Sequence, residues 1–87
     1  GPTSDDFTRD VLAEWMGREL VYDQKSWNQI ENYFHLRGRQ ATDYQKKQCY
    51  FPSESQILYN RVGTANGFHI MANADRPDIY TLPGPPK

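Results

Sequence analysis

The spacing of apolar residues changes period once along this chain, and that change sets its fold class. Up to Val62 the apolar positions recur three and four apart: Phe7, Val11, Leu12, Trp15 and Met16, then Trp27, Ile30, Tyr33 and Phe34, then Ile57, Leu58 and Val62. After the turn-forming pair Asn66-Gly67 they alternate, with Phe68, Ile70 and Ala72 on one side and His69 and Met71 on the other. The first spacing is the stripe of an amphipathic helix, and the second is the two-residue repeat of a strand. Helices followed by strands predict an α+β domain.

Punctuation along the chain sharpens the boundaries. Capping-box pairs stand at Thr3 and Asp6, Ser26 and Gln29, Thr42 and Gln45, and Ser53 and Gln56, and Gly17, Gly38 and Gly63 come after the apolar stripes as helix stops. Leu20-Val21-Tyr22 favours a short strand, and Pro52 breaks the chain before the last stripe. Residues 39–52 read either as a short third helix or as an ordered basic loop. A turn over Asn73 to Pro77 leads into a second strand, Ile79 to Leu82, so the chain closes on a hairpin. Three or four short helices followed by a C-terminal β-hairpin resemble, in element order and length over residues 3–82, a small winged-helix domain. No family motif accompanies that resemblance. It implies that the last helix reads a groove and that the hairpin forms the wing.

Composition bounds the class. The 87 residues hold twelve aromatics against three valines, four isoleucines and five leucines, so aromatic rings must supply much of the core. Phe7, Trp15, Trp27, Ile30, Phe34, Ile57, Leu58, Phe68 and Ile70 are expected inside. The single Cys49 forms no internal disulfide, which favours a reducing, intracellular location in nucleus or cytoplasm. No apolar run reaches the roughly 18 residues that a membrane span needs. A large enzyme fold, a coiled coil and a disulfide scaffold are excluded. Gly1-Pro2 reads as a tag scar, residues 3–82 as one globular binding domain, and residues 83–87 as a proline-rich tail or linker, as in a module cut from a larger protein.

The net charge of −1 conceals an asymmetry. Residues 1–35 carry three basic and seven acidic side chains, whereas residues 36–62 carry five basic and two acidic ones. The basic middle is interleaved with tyrosines, the pattern by which cations displace phosphate counterions and rings stack on bases. The lead expectation is therefore a non-catalytic, nucleic-acid-binding module. In it Arg37, Arg39, Lys46 and Lys47 contact phosphates, Tyr44 stacks, Gln56, Tyr59, Asn60 and Arg61 contact bases, and Arg76 enters a minor groove from the wing. The alternative is a protein-interaction or assembly domain, which would use the acidic stripe of Asp5, Asp6, Asp10, Glu14 and Glu19 with Tyr22 and Trp27. A small RNase-like toxin built on His35 or His69 is the remote third. The two histidines and Cys49 show no metal-ligand spacing, and no catalytic residue, metal site or small-molecule cofactor is expected.

Overall fold

The computed structural model describes residues 4–83. Its elements are helix α1 (Ser4–Trp15), strand β1 (Leu20–Tyr22), helix α2 (Gln24–His35), helix α3 (Asp43–Lys46) running into a 3-10 turn (Lys47–Cys49), and strands β2 (Tyr50–Pro52), β3 (Gln56–Leu58), β4 (Gly67–Ile70) and β5 (Ile79–Thr81). Strands β1 and β2 pair antiparallel, with Val21 opposite Phe51. Strands β3, β4 and β5 form a second antiparallel sheet in that order, in which Ile57, Phe68 and Thr81 share one row.

Both long helices end where glycine permits a left-handed residue. Gly17 has φ 65°, and its N–H and that of Arg18 return to the carbonyls of Glu14 (3.1 Å) and Ala13 (2.8 Å). Gly38 has φ 67°, and the same pair of bonds runs from Gly38 to His35 (3.0 Å) and from Arg39 to Phe34 (2.9 Å). This double closure satisfies carbonyls that a helix end would otherwise leave open. Helix α2 starts one turn earlier than its Ser26 signal suggests. Asp23 is the cap, and its Oδ2 accepts from the Ser26 N–H at 3.0 Å.

The winged-helix expectation fails at Ser53–Val62, where no helix forms. Glu54 adopts φ 62° and the Ser55 N–H and Oγ both return to the Pro52 carbonyl, which makes a tight turn. Ile57 then pairs opposite Phe68 in β3, and Val62, the last residue of that apolar stripe, is 91% exposed. Three apolar residues are too few to distinguish a helical stripe from a strand and a loop. Beyond Tyr59, side chains claim the backbone donors: Asn60 Oδ1 accepts from the Val62 N–H (2.9 Å) and Asn66 Oδ1 from the Asn60 N–H (2.8 Å). Strands β4 and β5 do pair, but as two thirds of a three-stranded sheet rather than as a wing. The fold is α+β, with two antiparallel sheets and no reading helix.

The core lies at the seam between α1, β2 and the three-stranded sheet. Phe51, Phe68 and Ile70 are buried together, with Leu12, Met16, Ile57 and Ile79 packed against them. The Phe51 and Phe68 rings meet edge to face at 6.3 Å, the favoured geometry for such pairs. Ala13, Ile30 and Cys49 are also buried, while Trp27 and Phe34 are half-buried. Trp15, expected inside, is 71% exposed. The inward stripe of α1 is Arg9, Leu12, Ala13 and Met16, at i, i+3, i+4 and i+7, so Trp15 falls outside it. Counting apolar residues alone missed the stripe because Arg9 belongs to it. Phe7 lies outside the described side chains.

Two features of the sheet carry predictions. A Cβ on Gly67 would collide with the Thr81 carbonyl oxygen, inside the β4–β5 pairing, and would stand 3.2 Å from the Leu82 Cα. Gly67→Ala should cost about 1–3 kcal/mol in urea denaturation through this overpacking; an unchanged midpoint would contradict the close approach. The β4–β5 connection is stapled by Asp78, whose Oδ1 lies 2.8 Å from His69 Nε2 and accepts from the Ala72 N–H at 3.0 Å. The His69 bond, and then the Ala72 bond, hold the Asp78 carboxyl below its ordinary value of 3.8. A depressed carboxylate contributes stability above its unfolded value and loses it as pH falls through the folded one. Wild type should therefore lose more stability than Asp78→Asn on acidification below 3.8; parallel losses would contradict the staple.

Candidate functional site

A cavity of about 90 Å³ opens in the seam, lined by Arg9 from α1, Gln48, Tyr50 and Phe51 from the α3–β2 segment, and Asn66, Phe68, Thr81, Leu82 and Pro83 around the second sheet. Its walls are largely aromatic and aliphatic, which suits a flat apolar ligand with few polar anchors. The position of Arg9 follows from the stripe of α1. Its guanidinium donates to the carbonyls of Lys47 (2.7 Å) and Tyr50 (3.3 Å) and pairs with Asp10 at 3.0 Å, so its charge and donors are already engaged. Asn66 is fixed as well, since its Nδ2 donates to Ser26 Oγ at 2.9 Å while its Oδ1 caps the Asn60 N–H. Gln48 is the exception. Its Oε1 is buried and has no hydrogen-bond donor among the described residues. A buried acceptor left unpaired costs about 1–3 kcal/mol, so such atoms in native proteins call for a partner.

The residues singled out for nucleic acid border several grooves. Arg37 lies flat on Tyr33, 3.5 Å from its ring centroid, and donates to the Tyr33 carbonyl at 3.0 Å. Together with Arg61 it borders a groove beside Val62 and Gly63. Tyr59, Asn60 and Arg61 line a neighbouring groove with Lys25, Asn28 and Gln29. Arg39 borders a groove with Glu31 and His35, and Arg76 lies beside Trp15 and Arg18. Tyr44 and Lys46 sit on α3 and Lys47 on the turn after it, with the Lys46 ammonium 5.4 Å from the Trp27 ring. Gln56 is in β3 opposite His69. The structure brings Arg37 and Arg61 together, and Tyr59, Asn60 and Arg61.

The groups considered for catalysis are also separated. Burial pushes the Cys49 thiol up to about 11, against a nucleophile. His69 stacks on Tyr80 with centroids 4.2 Å apart and pairs with Asp78, while His35 is exposed at the end of α2. Among the described residues no group of three or more His, Cys, Asp or Glu could hold a metal ion, and no helix is long and apolar enough to cross a membrane.

Reading by residue type missed Gln48 and Arg9. Arg9 was recoverable, since it stands at helical spacing from Leu12, Ala13 and Met16. Gln48 carried no signal: a glutamine between Lys47 and Cys49 looks like surface until the fold buries its carbonyl.

The chain matches, over residues 1–87, the model of the family described as "Probable molybdopterin binding domain". A "Putative competence-damage inducible protein" of Caldicellulosiruptor saccharolyticus is 46% identical over 86 residues, covering 99% of this chain and 20% of that protein. A protein of the same name from Clostridium tetani is 42% identical, covering 100% and 21%, and a "CinA-like protein" of Syntrophomonas wolfei is 38% identical, covering 100% and 20%. The chain thus spans about one fifth of the length of these relatives. These matches overturn the nucleic-acid reading, which rested on a winged-helix element order and a last helix that the structure does not contain. With 46% identity to one relative and a family match along its whole length, the chain belongs to the family described as the "Probable molybdopterin binding domain".

Proposed function

We propose that this chain serves as a ligand-binding part of a molybdopterin-binding type of domain and that its small molecule is a pterin of that class. The match along all of residues 1–87 carries the reading. The seam cavity supports it: its lining is largely apolar, with Tyr50, Phe51 and Phe68 among the residues that border it. The residues present therefore fit such a group. The apolar lining would hold it, and Arg9 and Asn66, already fixed by their own bonds, would shape the rim. This departs from the expectation of a chain without a small-molecule cofactor.

The role we assign to the chain is binding without catalysis. The raised Cys49 thiol and the pairing of His69 with Asp78 support that assignment. An intracellular, reducing location accords with a single buried cysteine outside any disulfide.

Equilibrium dialysis of the 87-residue chain against molybdopterin under anaerobic conditions should give saturable, one-to-one binding; retention no greater than that of an unrelated protein would remove the proposal. The burial of Cys49 and its raised thiol predict that Cys49 reacts with a thiol reagent at about pH 8 far more slowly in the folded chain than in urea. Equal rates would contradict both the burial and the raised thiol.

A further inference from the structure

We propose that Asn66-Gly67 is a self-modification site which the fold holds shut. When the loop that carries it opens, Asn66 converts to aspartate or isoaspartate, and the loop no longer closes as before. The proposal is independent of the pterin reading. Asparagine followed by glycine is especially prone to this reaction, because a residue without a side chain leaves its amide nitrogen unhindered. The only co-reactant is water. The Gly67 nitrogen attacks Asn66 Cγ, a C–N bond forms, and Nδ2 leaves as ammonia with the proton that the Gly67 nitrogen gives up. Water then opens the resulting cyclic imide at either of its carbonyls, to aspartate or to isoaspartate.

The structure demands both residues of this pair and also restrains them. At Gly67 a Cβ would collide with the Thr81 carbonyl oxygen, so glycine is favoured there. Asn66 uses both ends of its amide: Oδ1 accepts from the Asn60 N–H at 2.8 Å, and Nδ2 donates to Ser26 Oγ at 2.9 Å and to Gln29 Oε1 at 3.4 Å. Ser26 is held in turn by Asp23, to whose Oδ2 its hydroxyl donates at 2.7 Å. Gly67 is buried opposite Leu58 in the β3–β4 ladder. Attack requires rotation about the Asn66 side-chain and backbone bonds, which this clasp and the ladder oppose. The rate in the folded chain is therefore the rate in the open chain multiplied by the fraction of time the loop is open.

The product does not fit the clasp. Aspartate keeps an oxygen for the Asn60 N–H but sets its second oxygen against Ser26 Oγ and Gln29 Oε1, to which the amide had donated. The Ser26 hydroxyl proton is already given to Asp23, so acceptors gather there without donors and two carboxylates face one serine. Isoaspartate also lengthens the backbone by a methylene just before β4. Because Asn66 borders the seam cavity, either product brings a negative charge to its rim.

The test follows Asn66 in the 87-residue chain at mildly alkaline pH, by peptide mapping that separates asparagine, aspartate and isoaspartate. In urea Asn66 should convert before Asn28, Asn32, Asn60 and Asn73, none of which precedes a glycine. In the folded chain it should convert about a hundredfold more slowly or less, as for a loop open at most about one part in a hundred of the time. Ser26→Ala deletes an acceptor of Nδ2 and should speed conversion in the folded state about tenfold, the factor given by one lost hydrogen bond. Tyr59→Phe loosens the clasp one bond further out and should fall between Ser26→Ala and wild type; it carries the comparison if Ser26→Ala does not fold. Asn66→Asp supplies one product directly, and its urea midpoint at neutral pH should lie below that of wild type. Earlier conversion of another asparagine in urea, or equal rates in urea and in the folded chain, would overturn the proposal. So would rates in the folded variants no faster than wild type, or an unchanged midpoint for Asn66→Asp.

Discussion

One carboxylate oxygen organises the half of the molecule that lacks an apolar core. Asp23 Oδ2 accepts from the Ser26 N–H (3.0 Å), the Ser26 Oγ–H (2.7 Å) and the Tyr59 hydroxyl (2.9 Å). It therefore caps α2, fixes the rotamer of a buried serine and anchors the end of β3 in one arrangement. The network continues outward. Ser26 Oγ accepts from Asn66, and Gln29 donates to the carbonyls of Asn60 and Gly63. A chain of mutually oriented bonds of this kind is worth more than its pairs taken singly, and it specifies one geometry. Burial and the bond to Asp23 push the Tyr59 hydroxyl up to about 12, so this donor keeps its proton throughout the physiological range.

The clasp matters because the loop it holds runs directly into the cavity wall. Asn66 sits on the cavity and Gly67 begins β4, so the loop that Asp23 and α2 hold delivers Asn66 and Phe68 to the seam. From the other side, Arg9 turns inward from α1 and grips the carbonyls of Lys47 and Tyr50, which bracket Gln48 in the chain. The cavity thus stands between two polar fastenings, with Phe51 and Phe68 of the core among its lining. Among the described residues Gln48 Oε1 is the buried side-chain polar atom without a partner.

Much of this fold was legible in the sequence where a physical signal was strong and local. The stripes of α1 and α2, the glycines that end them and the alternation at Phe68 to Ile70 are each read from a few neighbouring residues, and the backbone obeys them. The failures share one cause, since they depend on partners far away in sequence. Ile57 becomes a strand residue because Phe68 lies opposite it, and Trp15 faces outward because Arg9 takes the inward position through bonds to residues 38 and 41 places further on. The candidate site was the least legible part. The asymmetry of charge is real, but the seam cavity is bordered by neutral and aromatic residues with Arg9, none of which the charge pattern singled out.

The most direct measurement is a crystal structure of the chain with pterin bound. The account predicts the ring in the seam cavity, bordered by Tyr50, Asn66 and Phe68. A ring bound elsewhere would contradict it.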